Sequence, residues 1–146
     1  MTIIQGNIHT DYRGTIRFVN DFNLTGIKRF YTITHPDIET IRAWQGHKLE
    51  TKYFYVTKGS FVVNWIKPDN WERPSKNIVI KAHILTDSNS EILVIPPGHI
   101  NGFKALEPGS ILIVFSDFTL GQSLQDDYRF PSDYFDFSID PLTTNH

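Results

Sequence analysis

Apolar residues in this chain come in short runs separated by turn-forming residues, and no stretch sustains the i, i+3, i+4 spacing of an amphipathic helix. The runs TIRFV, KRFYTIT, IRAWQGH, KYFYVT, SFVVNWI, NIVIKAHIL, EILVI and SILIVFSDF read as eight β-strands. Between them THPDIE, TKGS, KPDNWERPSK, LTDSNSE and PPGHING read as turns and loops. Eight short strands suit an all-β jelly-roll sandwich or barrel. Strand alternation assigns faces: Lys52, Phe54 and Val56 share one side of their strand, and Tyr53, Tyr55 and Thr57 the other. A lysine that opens a Phe and Val face is placed toward the interior. In NIVIKAHIL, Ile78, Ile80, Ala82 and Ile84 form the apolar face, so His83 is expected to point outward. The tail from Leu124 onward is acidic and aromatic; it is expected to carry a short helical turn and to fray at its end. No repeat, low-complexity tract or linker divides the chain, which reads as one domain over residues 1–146, with its core at about 11–135 and a tail over 136–146.

Composition narrows the class of partner. The 146 residues carry 14 Lys and Arg against 16 Asp and Glu, a formal net charge of −2, so no basic stripe suggests nucleic acid or an anionic membrane. No apolar run is long enough to cross a bilayer as a helix, and no signal-peptide pattern opens the chain. The absence of cysteine excludes disulfides, thiolate metal sites and thiol nucleophiles, and fits a cytoplasmic protein. The expected partner is a small molecule.

Two spacings carry candidate chemistry. Gln45, His47, Lys52 and Gly59 stand at the positions of the cupin pattern His-x-His-x4-Glu-x6-Gly, and Pro96-Pro97-Gly98-His99-Ile100-Asn101 matches Pro-x-Gly-x2-His except at its last position. The turn residues are kept, since Pro restricts the backbone and Gly tolerates the torsions a tight turn needs. The ligand set is not kept. A four-ligand site would comprise Gln45, His47, Lys52 and Asn101, and a lysine ammonium places positive charge where a metal would sit, so no metal and no cofactor are expected. The same ammonium would hold an anionic substrate or stabilise an enolate oxygen.

With DYRGTIRFVNDF, IKRFYTIT, RAWQGHKLETK, PPGHINGF and DDYRFPSDYF in this order, the chain resembles the cupin enzymes of dTDP-4-keto-6-deoxyhexose metabolism over residues 11 to 135. These are the dTDP-4-dehydrorhamnose 3,5-epimerases and the dTDP-sugar 3,4-ketoisomerases. The resemblance implies a cupin-type jelly-roll β-sandwich or barrel, a homodimer in which N-terminal strands such as TIIQGNIHT pair or exchange, and a place in deoxysugar and cell-surface polysaccharide (lipopolysaccharide) biosynthesis. By position it implies that Arg13 and Arg42 contact the nucleotide diphosphate and sugar, and that Lys52 corresponds to the epimerase lysine. The family's base falls on Gln45, an amide that neither takes nor gives a proton usefully. The epimerase histidine of the second motif falls on Asn101, and the tyrosine acid expected in ILIVFSDF has no counterpart.

The expected function is therefore epimerisation or isomerisation of a dTDP-linked 4-keto-6-deoxyhexose by removal of the proton next to the ketone. His47 and Lys52 are the catalytic candidates, and Arg13, Arg29, Tyr31, Arg42, Gln45, His99 and Asn101 the substrate-binding ones. His47 lies two residues after Gln45, on the same strand face, and imidazole is the ring that titrates near neutrality. The alternative is a non-catalytic sugar-nucleotide-binding cupin that has lost its base. Trp71, in the loop DNWERPSK, is a candidate for stacking on thymine or for a dimer contact. Asp126 and Asp127 read as a solvated turn rather than an acid pair.

Overall fold

The computed structural model describes residues 2–140. Its strands are β1 (Thr2–Gln5), β2 (Asn7–Asp11), β3 (Gly14–Phe18), β4 (Arg29–Ile33), β5 (Ile41–His47), β6 (Lys52–Lys58), β7 (Ser60–Ile66), β8 (Lys81–Thr86), β9 (Glu91–Ile95), β10 (His99–Ala105), β11 (Ile111–Ser116) and β12 (Tyr128–Arg129), with one short helix, α1 (Leu120–Leu124). Two five-stranded antiparallel sheets, ordered β1-β9-β6-β11-β4 and β12-β5-β10-β7-β8, face each other, and β2 with β3 forms a separate ribbon. This is the all-β jelly-roll architecture that the short apolar runs predict.

The core follows from alternation. Ile33, Phe54, Val56, Leu93, Ile95, Leu112 and Val114 project from the first sheet, and Phe61, Val63, Trp65, Leu85, Phe103 and Ala105 from the second, into one buried cluster. Lys52 lies in the same row as Phe54 and Val56 and is only 3% exposed. The outer face of the second sheet is covered as well: Trp44, Ile66, Ile100 and Phe135 are buried there, with Trp71, Phe130, Tyr134 and Phe137 packed on them. Ser138 and Asn64 exchange two hydrogen bonds of 2.8 Å, which ties the C-terminal segment down as far as residue 138. This second layer explains why all seven residues of β7 are buried.

Several expectations are corrected. His83 does not point outward; it stands in the interior row with Leu85, its Nε2 2.6 Å from Glu91 Oε1 on the opposite sheet. NIVIKAHIL becomes a strand only from Lys81, the preceding residues belonging to the loop. PPGHING is a turn only through Gly98, whose φ is +84°. From His99 it is the central strand of the second sheet, between β5 and β7. The Asn101-Gly102 pair that reads as a turn lies instead at a register shift opposite β5, where a Cβ on Gly102 would stand 2.5 Å from Ala43 Cβ. TIIQGNIHT splits at Gly6, β1 pairing with β9 and β2 with β3 of the same chain. The helical turn lies at α1, before the acidic tail, where Thr119 and Gln122 form a reciprocal capping box. The expected fraying of the chain end falls on residues 141–146, outside those described.

Gly102→Val places new atoms against Ala43 and Trp44 in the packed second sheet and is expected to destabilise the protein by about 1–3 kcal/mol. Gly121→Ala, in α1 with open space around it, is expected to be neutral or to stabilise by roughly 0.5–1 kcal/mol. Urea unfolding of both variants beside the parent chain checks the pair.

Candidate active site

At one end of the barrel a carboxylate is sealed from solvent. Glu50, in the connection between β5 and β6, has a side-chain exposure of 0%. Both of its oxygens are engaged: Ser123 Oγ donates to Oε1 at 2.6 Å, Ser116 Oγ to Oε2 at 2.5 Å, and Lys52 Nζ stands 3.0 Å from Oε2. Arg29 Nη2 lies 3.6 Å from Oε2 and 3.1 Å from Ser123 Oγ. Burial alone would raise the Glu50 pKa, but the two serine hydrogen bonds and the Lys52 charge outweigh it and hold the carboxyl below its ordinary value. Glu50 is thus the ionised counter-ion of Lys52.

A second acid shapes the loop itself. The backbone N–H groups of Lys48, Leu49 and Glu50 all donate to the Asp126 carboxylate, at 2.8, 2.9 and 2.8 Å, just beyond α1. His47 Nδ1 lies 2.7 Å from the Asp126 carbonyl oxygen, an atom that can only accept. Nδ1 therefore carries the ring proton, and Nε2 bears the free lone pair, buried and without a hydrogen-bond partner. Burial, ahead of the raising effects of the Asp126 carbonyl and the Glu50 charge, holds the His47 pKa below its ordinary value. Near neutral pH the ring is an unprotonated base.

Above this buried layer opens a cavity of about 240 Å³ whose wall includes Arg29, Tyr31, Arg42, Gln45, Lys52, Asp127 and Arg129. A smaller pocket shares Arg42, Gln45 and Arg129 with it and adds Asn101 and Phe103. Four of these wall residues are cationic and one is anionic. Lys52 Nζ donates to Tyr31 Oη at 2.8 Å. Gln45 Nε2 donates to Asp127 Oδ1 at 3.0 Å, and Arg129 Nε also contacts that carboxylate at 3.1 Å. The wall can hold an anion and polarise a carbonyl through Lys52 and Tyr31.

Six of the candidates named from the sequence meet here: Arg29, Tyr31, Arg42, Gln45, Lys52 and Asn101. His47 lies in the buried layer and is not among the residues lining the cavity. Arg13 is elsewhere, on the β2–β3 ribbon, its guanidinium 2.7 Å from Asp11. His99 opens on a different cavity. Trp71 is not free to stack on a ligand in this cavity: its ring lies over Gly46, beside the Tyr128 ring, on the outer face. Asp126 and Asp127 are not a solvated turn, since one is 3% exposed and organises the loop while the other fixes Gln45.

Glu50, Ser116, Ser123, Asp127 and Arg129 were not anticipated. For Glu50 a signal was available, because i and i+2 share a strand face and Glu50 precedes the inward Lys52 by two. His47, Glu50 and Asp126 bring potential metal-binding atoms within 4.8 Å of one another. They do not suit a cation, since Asp126 is filled by three N–H donors, His47 Nδ1 is protonated and the Lys52 ammonium already neutralises Glu50.

Acid should remove stability in two stages. The folded pKa values of His35, His47 and His99 lie below the ordinary 6.5, each chiefly through burial, so the unfolded chain takes up protons first as pH falls below about 6.5. Glu50 adds stability that is present above its ordinary 4.5 and is lost as pH falls through its lower folded value. Urea midpoints from pH 8 to 3 should show both stages, and His47→Gln should reduce the upper one, leaving the share of His35 and His99, without changing the lower. Glu50→Ala, which strands Lys52 in the interior, is expected to cost about 3–5 kcal/mol at pH 7.

No protein-family model and no curated protein sequence matches the chain. Solved structures do. A sugar 3,4-ketoisomerase, QdtA from Thermoanaerobacterium thermosaccharolyticum in complex with TDP, superposes with a TM-score of 0.69 at 22% identity, covering 91% of this chain and 90% of that one. A 3,4-ketoisomerase from Helicobacter canadensis gives 0.69 at 18% identity over 99% and 97% of the two chains. The Mycobacterium tuberculosis rmlC epimerase gives 0.69 at 16% over 89% and 68%. The chain thus has the cupin-type jelly-roll fold of these dTDP-sugar 3,4-ketoisomerase and dTDP-4-dehydrorhamnose 3,5-epimerase structures.

Proposed function

We propose that the protein is an epimerase or ketoisomerase acting on a dTDP-linked 4-keto-6-deoxyhexose in cytoplasmic deoxysugar biosynthesis for cell-surface polysaccharide, without metal or organic cofactor, as a homodimer of single-domain chains. The observation that carries the reading is the Lys52 ammonium in the wall of a cationic cavity, 2.8 Å from the Tyr31 hydroxyl and 3.0 Å from the Glu50 carboxylate. In this reading Arg42, Arg29 and Arg129 hold the diphosphate, and Lys52 polarises the C4 ketone. His47 Nε2 takes the proton from C3, and the electron pair of the C–H bond becomes the enolate double bond, its oxygen charge held by Lys52. Protonation of C3 on the opposite face gives epimerisation; transfer of the C3 hydroxyl proton to the C4 oxygen, with protonation at C4, moves the ketone to C3. Tyr31 supplies a hydroxyl beside Lys52 where ILIVFSDF has no tyrosine. Arg13 would act on the diphosphate only from a second copy, through its exposed ribbon.

One observation favours the alternative of binding without turnover: His47 lies behind the cavity wall, and Gln45, at the family's base position, is held by Asp127. The two readings separate in one experiment, proton NMR of dTDP-4-keto-6-deoxyglucose in D2O. Protein-dependent loss of the C3 signal is the expected outcome; binding with exchange no faster than buffer establishes the alternative. Lys52→Met should lower the exchange rate by about 10²–10³-fold; because it strands the Glu50 carboxylate, Lys52→Met with Glu50→Gln, which removes both charges, is the variant expected to stay folded by circular dichroism.

A further inference from the structure

A second concavity, of about 530 Å³, lies in the size range of ligand pockets and has no part in the chemistry above. Its wall includes Trp65, Lys67, Ile78, Val79, Lys81 and His99. Strand register explains the grouping. Asn101, Trp65 and Lys81 are directly opposed across β10, β7 and β8, so Lys81 stands beside the indole on one face of the sheet. Lys67 follows immediately after β7 ends, His99 opens β10, and Ile78 and Val79 come from the loop that leads into β8. The Trp65 ring, 4% exposed, belongs to the core and forms an apolar floor.

The charges around that floor are one-sided. Among the described residues no carboxylate lines the cavity, and neither Lys67 nor Lys81 has an ion-pair partner. His99 Nδ1 lies 3.0 Å from the Pro96 carbonyl and 3.1 Å from that of Pro97, so this nitrogen carries the ring proton and Nε2 has the lone pair. Burial holds the His99 pKa below its ordinary value against those two hydrogen bonds, with the Lys67 charge the smallest contribution in the same direction. Lysines on an open surface are simply hydrated. Here two uncompensated ammonium groups flank a recess with an aromatic floor, where the field is focused and apolar surface is offered to the same ligand.

We propose that this cavity is a second ligand site, separate from the Lys52 cavity, for an organic oxyanion carried on an aromatic or apolar body. The anionic group sits between Lys67 and Lys81, and the body packs on Trp65, Ile78 and Val79. The site stands apart from the isomerase reading, and its failure would leave the C3 exchange result untouched.

The probes are phenyl phosphate, phenylacetate, inorganic phosphate and phenol, titrated by calorimetry and by indole and amide NMR shifts on the full chain. Phenyl phosphate or phenylacetate should bind at least about ten-fold more tightly than inorganic phosphate or phenol, with the largest shifts at Trp65 and His99. Which of the two aromatic anions binds better assigns the headgroup as phosphate or carboxylate. Lys67→Gln with Lys81→Gln should weaken that binding about ten-fold, whereas Arg42→Ala should leave it unchanged. Both exchanged lysines are exposed, so the double variant is expected to fold. Equal affinity for phenol and phenyl phosphate, loss of binding in Arg42→Ala but not in the lysine variant, or no binding of either aromatic anion would each overturn the proposal.

Discussion

A carboxylate with no access to water is the constraint on which the Lys52 end of this barrel depends. Removing Glu50 from solvent costs several kcal/mol unless its charge is answered at close range. Here it is answered by Lys52 and by the hydroxyls of Ser116 and Ser123. Those partners come from the start of β6, the end of β11 and the helix α1, so satisfying one buried charge brings three separate stretches of chain together. The Lys52 ammonium, held in turn by Glu50 and Tyr31, has little freedom to leave the cavity wall. A fixed positive charge in a water-poor recess stabilises developing negative charge more strongly than a mobile surface lysine would.

Asp126 serves the same end in a different way. Its carboxylate accepts from three successive backbone N–H groups of the β5–β6 connection, and its carbonyl accepts from His47 Nδ1–H. One residue thus sets the loop path, the tautomer of His47 and the distance between His47 and Glu50, which is 3.4 Å from Nδ1 to Oε1. Its neighbour Asp127 points into the cavity instead and holds Gln45. Adjacent residues in the same turn therefore serve the buried layer and the ligand-facing wall.

The two cavities differ in character because of what stands behind their cations. Lys52 and Arg129 have carboxylates within hydrogen-bonding distance, which hold these two cations in place in that wall. Lys67 and Lys81 lack ion-pair partners among the described residues and sit over an apolar floor. The first cavity is organised in advance by its own charges; the second offers charge that is not yet neutralised.

Local pattern was enough for much of the fold and for part of the site. Period-two alternation put Lys52 with Phe54 and Val56, and the glycines at 59 and 98 marked turns where both have positive φ, because those signals depend only on neighbours along the chain. The same local logic misread β10, since Asn101-Gly102 looks like a turn until Ala43 is seen packed against Gly102, and it misread His83, whose partner Glu91 lies on the facing sheet. It dismissed Asp126 as solvated because nothing nearby in sequence announces three amide donors from residues 48–50. Most strands, the inward face of Lys52 and the residue types of a cationic cavity were thus determined by the amino-acid order alone. Which acid neutralises Lys52, which nitrogen of His47 is free, and that Arg13 and His99 stand apart from Arg42 were decided by tertiary structure, because buried charges and hydrogen bonds are settled between segments that meet only when the two sheets close.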